Sequence, residues 1–405
     1  MAYTTLQRRN SMRITGAGCC LIDSIYKNSS YDDEAFARVM SIAKGDGGLI
    51  EGGLVFSEDI EVFANRPYKE ILNALTKSRL PDVENLGGPA VVALVHASQI
   101  LQSDTVEVSF YGAVGKDNQA KHVHQAIAKT PLKGELKIVP NKRTATTDVF
   151  DDPTQRKGKG ERSFINTVGA AGEYGPYDIP VDFYEADIVL LGGTALVPRL
   201  HDGLLTVLKK AKEKGCITVV GTVYDFRNEK RAPNEPWPLG GKESYTHIDL
   251  LVTDEEEALR LSGATEILDA AKRLIAYGVS SLIITRGALD ILVYSNGTII
   301  SKCDLTSLPV STYMDDLMAQ DPSMRKDTTG CGDNFVGGVL VALARHLLKK
   351  EKSLVNMRDI CAYAASSGGL TCTYHGGTFY EEKPGEKAAL LQPVVSAYLE
   401  TVGEV

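Results

Sequence analysis

The chain has 405 residues, of which 43% are hydrophobic and 24% are charged, and its net charge at pH 7 is -8. A chain of this length can bury a large core in one domain. The acidic balance argues against a nucleic-acid partner, because phosphate backbones are bound by clustered basic surfaces.

The sequence shows no sign of a membrane segment. No apolar run reaches the roughly 20 residues needed to cross a bilayer, and the N-terminus lacks the apolar segment of a signal peptide. We therefore predict a cytoplasmic protein with no membrane partner. The seven cysteines include no CxxC pair and no Cys/His cluster at zinc spacing, so we expect reduced and mainly buried thiols.

In chain order, short apolar segments alternate with amphipathic ones. Predicted strands lie at 12–18, 106–115, 186–193, 216–225, 247–254 and 281–287, and helical patterns lie at 116–130, 200–215 and 255–263. This alternation predicts an α/β fold, a doubly wound and mainly parallel sheet with helices on both faces.

Two segments interrupt the alternation. The first, 27–85, contains clusters of glycine, and the second, 143–167, combines β-branched and aromatic residues around a Gly/Lys turn. We predict that strands from within 27–80 and 143–167 form a small β lid over a cleft of a single domain, 1–405. An insertion without function is the alternative, since surface insertions cost little closure entropy. Residues 311–326 read as an extra loop. The open edges of a lid could also pair with a second copy in a homodimer.

The stretch "KDTTGCGDNFVGGVLVALARHLLKK" (Lys326–Lys350) places small turn residues and an aspartate before a helix. The backbone N–H groups of Gly330, Cys331 and Gly332 would meet the positive end of that helix, which favours a phosphate. A carboxylate beside a phosphate is useful if Asp333 accepts the proton of an attacking hydroxyl, which indicates phosphoryl transfer to an alcohol. The alternative is that Asp333 only caps the helix.

The segment "DTTGCGDNFVGG" resembles the C-terminal signature of the ribokinase-like (PfkB-type) carbohydrate kinases, D-T-x-G-A-G-D-x-F-x-x-G, with cysteine in place of the usual alanine. Further similar segments follow the order of the family across nearly the whole chain: "GAGCCLID", "NLGGPAVVALVHA", "FYGAVGKDNQ", "GERSFINTVGAA", "ADIVLLGG", "LVTDEEEALRLSG" and "IITRGALDILV". The long segment before the di-glycine and the "FVGG" after Asp333 are more similar to the adenosine-kinase branch.

The resemblance implies a role for each matching position of the reaction centre. Asp333 matches the catalytic base, and Gly330 to Gly332 match the anion hole of the family. Asp23 matches an acidic residue that binds substrate hydroxyls, and Gly87 and Gly88 match the di-glycine that the substrate approaches. Carboxylates accept hydrogen bonds from hydroxyls, and glycines leave room for a ligand.

Two further motifs imply the nucleotide and the metal. Thr285 and Gly287 resemble the turn that binds the nucleotide phosphates, so ATP is the expected donor. Asp254 and Glu257 stand where the family has N-x-x-E, a motif that organises Mg²⁺, and oxygen ligands suit this ion. The alternative for these two residues is an acidic first turn that complements a helix dipole.

The chain departs from the family pattern at three other positions. Val91 stands where an asparagine normally contacts the substrate, Asp290 replaces a glycine of the nucleotide motif, and Tyr363 stands near the place of an asparagine that often borders the adenine. The acceptor therefore stays open between a sugar or sugar-like compound and a nucleoside.

Two other classes of function are alternatives to a kinase. "ITGAGCCL" offers G-x-G after a strand, as in dinucleotide-dependent oxidoreductases, but Leu21 takes the place of the third glycine, and no P-loop motif is present. A non-catalytic regulator that senses sugars or nucleotides on the same fold is the second alternative. We expect an ATP- and Mg²⁺-dependent kinase that phosphorylates a hydroxyl of a sugar or nucleoside.

Overall fold

The computed structural model describes residues 11–43, 45–155 and 161–403. Within these ranges the strands are β1 (Met12–Gly18), β2 (Leu21–Tyr26), β3 (Leu54–Phe56), β4 (Val83–Gly87), β5 (Val106–Val114), β6 (Lys133–Ile138), β7 (Thr146–Asp152), β8 (Glu161–Thr167), β9 (Ile188–Gly192), β10 (Ile217–Gly221), β11 (Leu250–Asp254), β12 (Ser281–Arg286), β13 (Leu289–Ser295) and β14 (Cys303–Leu308). The predicted absence of a signal peptide concerns the first ten residues, which lie outside these ranges. Residues 156–160 of the second predicted lid segment also lie outside them.

The α-helices of the described ranges are α1 (Glu34–Ala37), α2 (Ser57–Ala64), α3 (Tyr68–Thr76), α4 (Pro89–Ile100), α5 (Asn118–Ala128), α6 (Pro198–Asp202), α7 (Leu204–Glu213), α8 (Phe226–Arg231), α9 (Glu255–Ser262), α10 (Ile267–Tyr277), α11 (Thr312–Gln320), α12 (Cys331–Lys349), α13 (Met357–Thr371) and α14 (Glu386–Val402). Short 3₁₀ helices lie at Gly169–Glu173, Val181–Tyr184, Thr194–Leu196, Lys242–His247 and Pro322–Met324. None of the helices in the described part of the chain is long and apolar enough to cross a membrane.

The large sheet has the strand order β14-β13-β12-β11-β10-β9-β1-β5-β6. From β12 to β6 its neighbours pair in parallel, and β13 and β14 join antiparallel at one edge. Successive strand residues face opposite sides, so Val219 packs with α4 and α12 whereas Val220 packs with α7 and α9. Helices thus cover both faces, and the predicted doubly wound α/β fold is confirmed.

The second sheet has the order β3-β8-β7-β2-β4. Strands β3, β7 and β8 lie in the ranges predicted to supply the lid, whereas β2 and β4 lie outside them. The chain passes from β1 of the large sheet into β2 of the small one through Cys19 and Cys20 alone, so no loop marks the change of sheet.

Much of 27–80 is helical, which differs from the prediction of strands. Helices α1 to α3 pack their apolar sides under the small sheet, where Phe36, Ile60, Tyr68 and Ile71 are buried. The predicted extra loop at 311–326 also contains a helix, α11, because Met314 and Met318 pack one turn apart.

Candidate active site

The helix predicted to carry the reaction begins at a tight turn. Gly330 has φ 77°, and a Cβ atom on it would lie 2.4 Å from Cα of Gly377. Only glycine fits this left-handed conformation against another backbone. By contrast, a Cβ atom on Gly332 would meet nothing within 4 Å, so the outer side of the turn is open.

Two glycines in the middle of α12 hold it against its neighbours. A Cβ atom on Gly337 would lie 2.7 Å from the carbonyl oxygen of Ala93 in α4, and one on Gly338 would lie 2.5 Å from that of Tyr363 in α13. At the carboxyl end of β10, a Cβ atom on Gly221 would lie 3.4 Å from Val336. The first turn of α12 therefore lies beside the carboxyl ends of the parallel strands, where ligands bind in open α/β sheets.

Asp333 lies in this first turn and is partly accessible. The surrounding protein removes water from its carboxyl group, and this desolvation raises the pKa of Asp333 to about 6. The first-turn N–H groups of a helix have no intrahelical acceptor. A basic carboxylate thus stands next to a group of hydrogen-bond donors.

Behind the turn, a buried polar network ties α12 to the C-terminal part of the chain. Nδ2 of Asn334 donates to the carbonyl oxygens of Gly330 and Gly377, both at 2.8 Å. Its Oδ1 accepts from Nζ of Lys387 at 3.0 Å, and Lys387 is 1% exposed. Burial lowers the pKa of Lys387 to about 7. No sequence motif predicted this contact between Asn334 and Lys387.

A second network fixes the loop before the turn. Oδ1 of Asp327 accepts from Nη1 of Arg162 at 2.6 Å and from the amide of Thr329 at 3.0 Å, and its Oδ2 accepts from the amide of Gly376 at 3.0 Å. Burial alone would raise the pKa of Asp327, but these hydrogen bonds and the positive charge of Arg162 hold the pKa below its usual value. Since Arg162 lies on β8, the small sheet is joined to the loop.

The predicted substrate residues meet where β2 pairs with β4. A Cβ atom on Gly87 would lie 2.2 Å from Oδ2 of Asp23, and one on Gly88 would lie 2.2 Å from the carbonyl oxygen of Cys19. Burial raises the pKa of Asp23 to about 7; a hydrogen bond from Thr147 opposes this rise, and the negative charge of Asp333 adds to it. The structure thus brings Asp23 and Asp333 into electrostatic range of one another.

A cavity of about 360 Å³ is lined in part by residues of the turn. It joins two predicted sites, since Thr285 and Gly287 line it together with Cys331 and Gly332. Its remaining walls include apolar side chains and the small residues of one face of α13, namely Ile291, Val310, Met314, Met318, Phe335, Ala365, Gly368 and Gly369. The size and composition suit a small organic ligand with an apolar and a polar end.

Asp254 and Glu257 form a capping box at the start of α9. Oδ1 of Asp254 accepts from the amide of Glu257 at 2.7 Å, and Oε2 of Glu257 accepts from the amide of Asp254 at 3.4 Å and from the hydroxyl of Thr222. Burial, and then the charge of Asp254, raise the pKa of Glu257 to about 7. Asp254 pairs in register with Thr285 of β12. Within the described ranges, no group of three His, Cys, Asp or Glu residues could hold a metal ion.

Residues 75–384 match the family described as pfkB family carbohydrate kinase, which is more than half of the chain. The chain belongs to the pfkB family. The predicted membership is confirmed, and the protein is a phosphotransferase of a family that acts on alcohol groups.

Two kinases match this chain over different shares of their length. A fructokinase from Vibrio alginolyticus is 24% identical over 72% of this chain and 86% of that kinase. A cytidine kinase from Thermococcus kodakarensis is 26% identical over 44% of this chain, and the match spans about half of that kinase, 55% of its length.

Solved structures show the same fold. Adenosine kinase from Schistosoma mansoni in complex with 2-fluoroadenosine superposes with a TM-score of 0.65 at 19% identity, covering 91% of this chain and 97% of that one. Ribokinase from Giardia lamblia gives a TM-score of 0.63 at 14% identity, covering 94% and 99%. At these identities the likeness establishes the ribokinase-like fold.

The three residues that depart from the pfkB pattern are not among those that line the cavity. Val91 is fully buried in α4, so it faces the core and not a ligand. The hydroxyl of Tyr363 accepts from Nη1 of Arg345 at 2.9 Å, and Tyr363 is not among the lining residues of the cavity. Asp290 is exposed on β13. Ala365, Gly368 and Gly369 of the same helix do line the cavity.

Proposed function

We propose that this kinase transfers the γ-phosphoryl group of ATP to a hydroxyl group of a sugar or a nucleoside. One observation carries the proposal. The cavity lined by Thr285 and Gly287 reaches Gly332, the residue before Asp333, and the charge of Asp333 in turn acts on the carboxyl group of Asp23. A phosphoryl group at the turn would lie between a donor in the cavity and an acceptor hydroxyl held by Asp23.

Asp333 is the general base in this proposal. With a pKa of about 6, its carboxyl group is ionised at neutral pH yet more basic than an ordinary aspartate, so it can take the proton of the attacking hydroxyl. The N–H groups of Gly330, Cys331 and Gly332, with the positive end of α12, would hold the negative charge that develops on the phosphoryl oxygens.

The donor site is assigned to the cavity. Phosphates of ATP would reach the turn past Thr285 and Gly287, and Arg325 lines the same cavity and adds a positive charge. The apolar walls from Met314, Met318 and Phe335 suit the adenine ring.

Asp254 and Glu257 are the proposed metal residues. Their oxygen atoms are the donors that Mg²⁺ prefers, and an ion held by these two carboxylates would keep several waters and arrive with the nucleotide phosphates. Bound there, Mg²⁺ would neutralise the phosphate charge. The capping box shows that these residues also stabilise α9.

For the acceptor, the Asp23 carboxylate and the bare backbone of Gly87 and Gly88 fit a compound with several hydroxyl groups, which both sugars and nucleosides satisfy. The relatives divide in the same way, into a fructokinase, a cytidine kinase and adenosine kinases. A homodimer through the edge strands β3 or β4 stays a prediction. Light scattering coupled to size-exclusion chromatography would measure the mass of the particle in solution.

The deciding experiment is ADP release from MgATP with a panel of sugars, sugar acids, sugar phosphates and nucleosides. Asp333→Asn should bind ATP normally and lower turnover by roughly 10² or more, the scale of a lost general base. Asp316→Asn, which changes an exposed aspartate of α11, is the matched control and should behave as the wild type. Turnover near normal in Asp333→Asn would contradict the assigned base. ATP binding without any accepted substrate would favour the regulator.

A further inference from the structure

Two cysteines from distant parts of the chain meet at the catalytic turn. Sγ of Cys331, the first residue of α12, lies 3.5 Å from Sγ of Cys372, the residue that follows α13. The two thiols share a hydrogen bond. Both residues line the cavity assigned to the nucleotide, so small solutes that enter it reach them.

This pair differs from the other thiols of the chain. Cys19, Cys20, Cys216 and Cys361 are buried, and Cys303 is partly exposed on β14. Among the described residues, Cys331 and Cys372 are the two cysteines joined by a sulfur–sulfur contact.

The two thiols also differ in acidity. The hydrogen bond shared with Cys331 lowers the pKa of Cys372 to about 7, burial opposes this change, and the positive charge of Arg325 supports it. The same hydrogen bond, together with burial, raises the pKa of Cys331. At neutral pH, a substantial fraction of Cys372 is therefore thiolate, with Cys331 as its protonated partner, the division of roles found in reactive cysteine pairs.

We propose that Cys331 and Cys372 are a reversible redox site, a dithiol that small-molecule disulfides convert into an intramolecular disulfide and that thiols restore. The Cys372 thiolate attacks one sulfur of the disulfide RSSR, forms a mixed disulfide and releases RS⁻. Cys331 then loses its proton, attacks Sγ of Cys372 and releases the second RS⁻. With the two protons taken up, the dithiol and RSSR give the protein disulfide and two RSH.

Oxidation should disturb the catalytic turn. A disulfide bond is about 2.05 Å long, so the sulfurs must approach by about 1.5 Å. The carbonyl oxygen of Cys372 accepts from the amide of Lys326 at 2.8 Å, in the loop before the turn, and the amide of Cys331 belongs to the turn itself. Both ends of the crosslink would therefore pull on the backbone that presents the N–H donors.

This effect on activity rests on the proposed function, whereas the reaction of the thiols does not. Loss of one aligned backbone donor to a transition-state oxyanion lowers turnover by roughly 10² to 10³. We expect the disulfide form to lose activity on this scale and to recover it with dithiothreitol.

The test is incubation of the full chain with oxidised glutathione, followed by peptide mapping without reduction. The expected product is a crosslinked peptide pair containing Cys331 and Cys372. Cys331→Ala should instead trap glutathione on Cys372, and Cys372→Ser should leave Cys331 unmodified. Cys303→Ser, which removes a partly exposed cysteine outside the cavity, should give the same crosslink as the wild type.

The activity of each variant is compared before and after oxidation of that same variant, so no assumption is made about its starting activity. A wild-type protein that carries glutathione on Cys372 beside a free Cys331, or that reacts only at Cys303, would overturn the proposal. Saturating ATP should slow the crosslink at least tenfold. If ATP gave no protection while the crosslink still formed, the redox pair would stand and the assignment of the nucleotide to the cavity would fail.

Discussion

Nη1 of Arg162 on the small sheet lies 2.6 Å from Oδ1 of Asp327, which precedes the turn 330–332 by three residues. The Asp327 side chain is 1% exposed and that of Arg162 is 25% exposed, so the ion pair is mostly shielded from solvent. A movement of the small sheet would therefore displace the loop before the turn. Closure of a lid over the site could change the position of the turn through this ion pair.

Arg162→Ala should weaken catalysis more than stability. Asp327 would keep the amide donors of Thr329 and Gly376 but lose its cation, so the loop stays folded while its link to the small sheet is broken. We expect kcat/KM for the acceptor to fall about tenfold, the effect of a lost charged hydrogen bond. Arg199→Ala removes a surface ion pair with Glu173 and is the control, with an expected change below twofold. Equal losses in both variants would argue against the link.

The pH dependence of turnover should report the carboxyl group of Asp333. Since the base must be ionised, kcat should fall as the pH drops through about 6, the pKa of this residue. Below this pKa, a plot of log kcat against pH should rise with a slope of one. A profile that stays flat down to pH 5 would contradict the assignment.

The same pKa predicts a stability effect of opposite sign. Burial raises the folded-state pKa of Asp333 above the unfolded value, so the folded state binds the proton more tightly and is relatively favoured at low pH. This contribution is complete below pH 4 and is lost as the pH rises through 6. Asp333→Asn should therefore melt roughly 2 °C above the wild type at pH 7.5, with the difference vanishing near pH 4.

The features that sequence alone predicted are those held in short, contiguous patterns. The β/α alternation predicted the fold class, and one stretch of the chain carried Asp333 and the glycines of the turn. The resemblance implied a phosphate-binding turn at Thr285 and Gly287, and the structure places both residues in the wall of the cavity that Cys331 and Gly332 also line.

What the sequence did not reveal depends on contacts between distant segments. Asn334 and Lys387 are 53 residues apart, Arg162 and Asp327 are 165 apart, and no local pattern relates them. The position of Tyr363 relative to the cavity also depends on the folded structure, here on the orientation of α13. Ala365, Gly368, Gly369 and Cys372 follow helical spacing along the cavity, and Tyr363, two positions earlier, points away from that face.

Lys387 should give the protein an unusual alkaline stability. Burial lowers its folded-state pKa to about 7, with the charge of Glu381 opposing, whereas an unfolded lysine titrates near 10.4. Between these values the unfolded chain binds more protons, so the free energy of unfolding rises with pH, by about 2 kcal/mol from pH 7 to pH 9. Lys387→Met should abolish this rise in urea unfolding. Lys383→Met, at an exposed lysine nearby, should retain it.

Gly330 and Gly332 should respond to alanine in opposite ways. At Gly330 the added methyl group meets the backbone of Gly377 in a left-handed conformation, so Gly330→Ala should shift the turn, destabilise the fold by about 1 to 3 kcal/mol and lower turnover at least 10²-fold. At Gly332 the methyl group has free space and an ordinary backbone, so the free energy of unfolding should stay within about 0.5 kcal/mol of the wild type.

The Gly332→Ala methyl group projects into the space that the phosphates would occupy, since Gly332 lines the cavity. Its expected defect is weaker ATP binding, measured by calorimetry, together with slower turnover. The two alanine variants separate the two functions of the turn, because Gly330 sets the backbone conformation and Gly332 leaves room for the ligand. Normal ATP affinity and normal turnover in a well-folded Gly332→Ala protein would place the phosphates elsewhere and contradict the proposed anion hole.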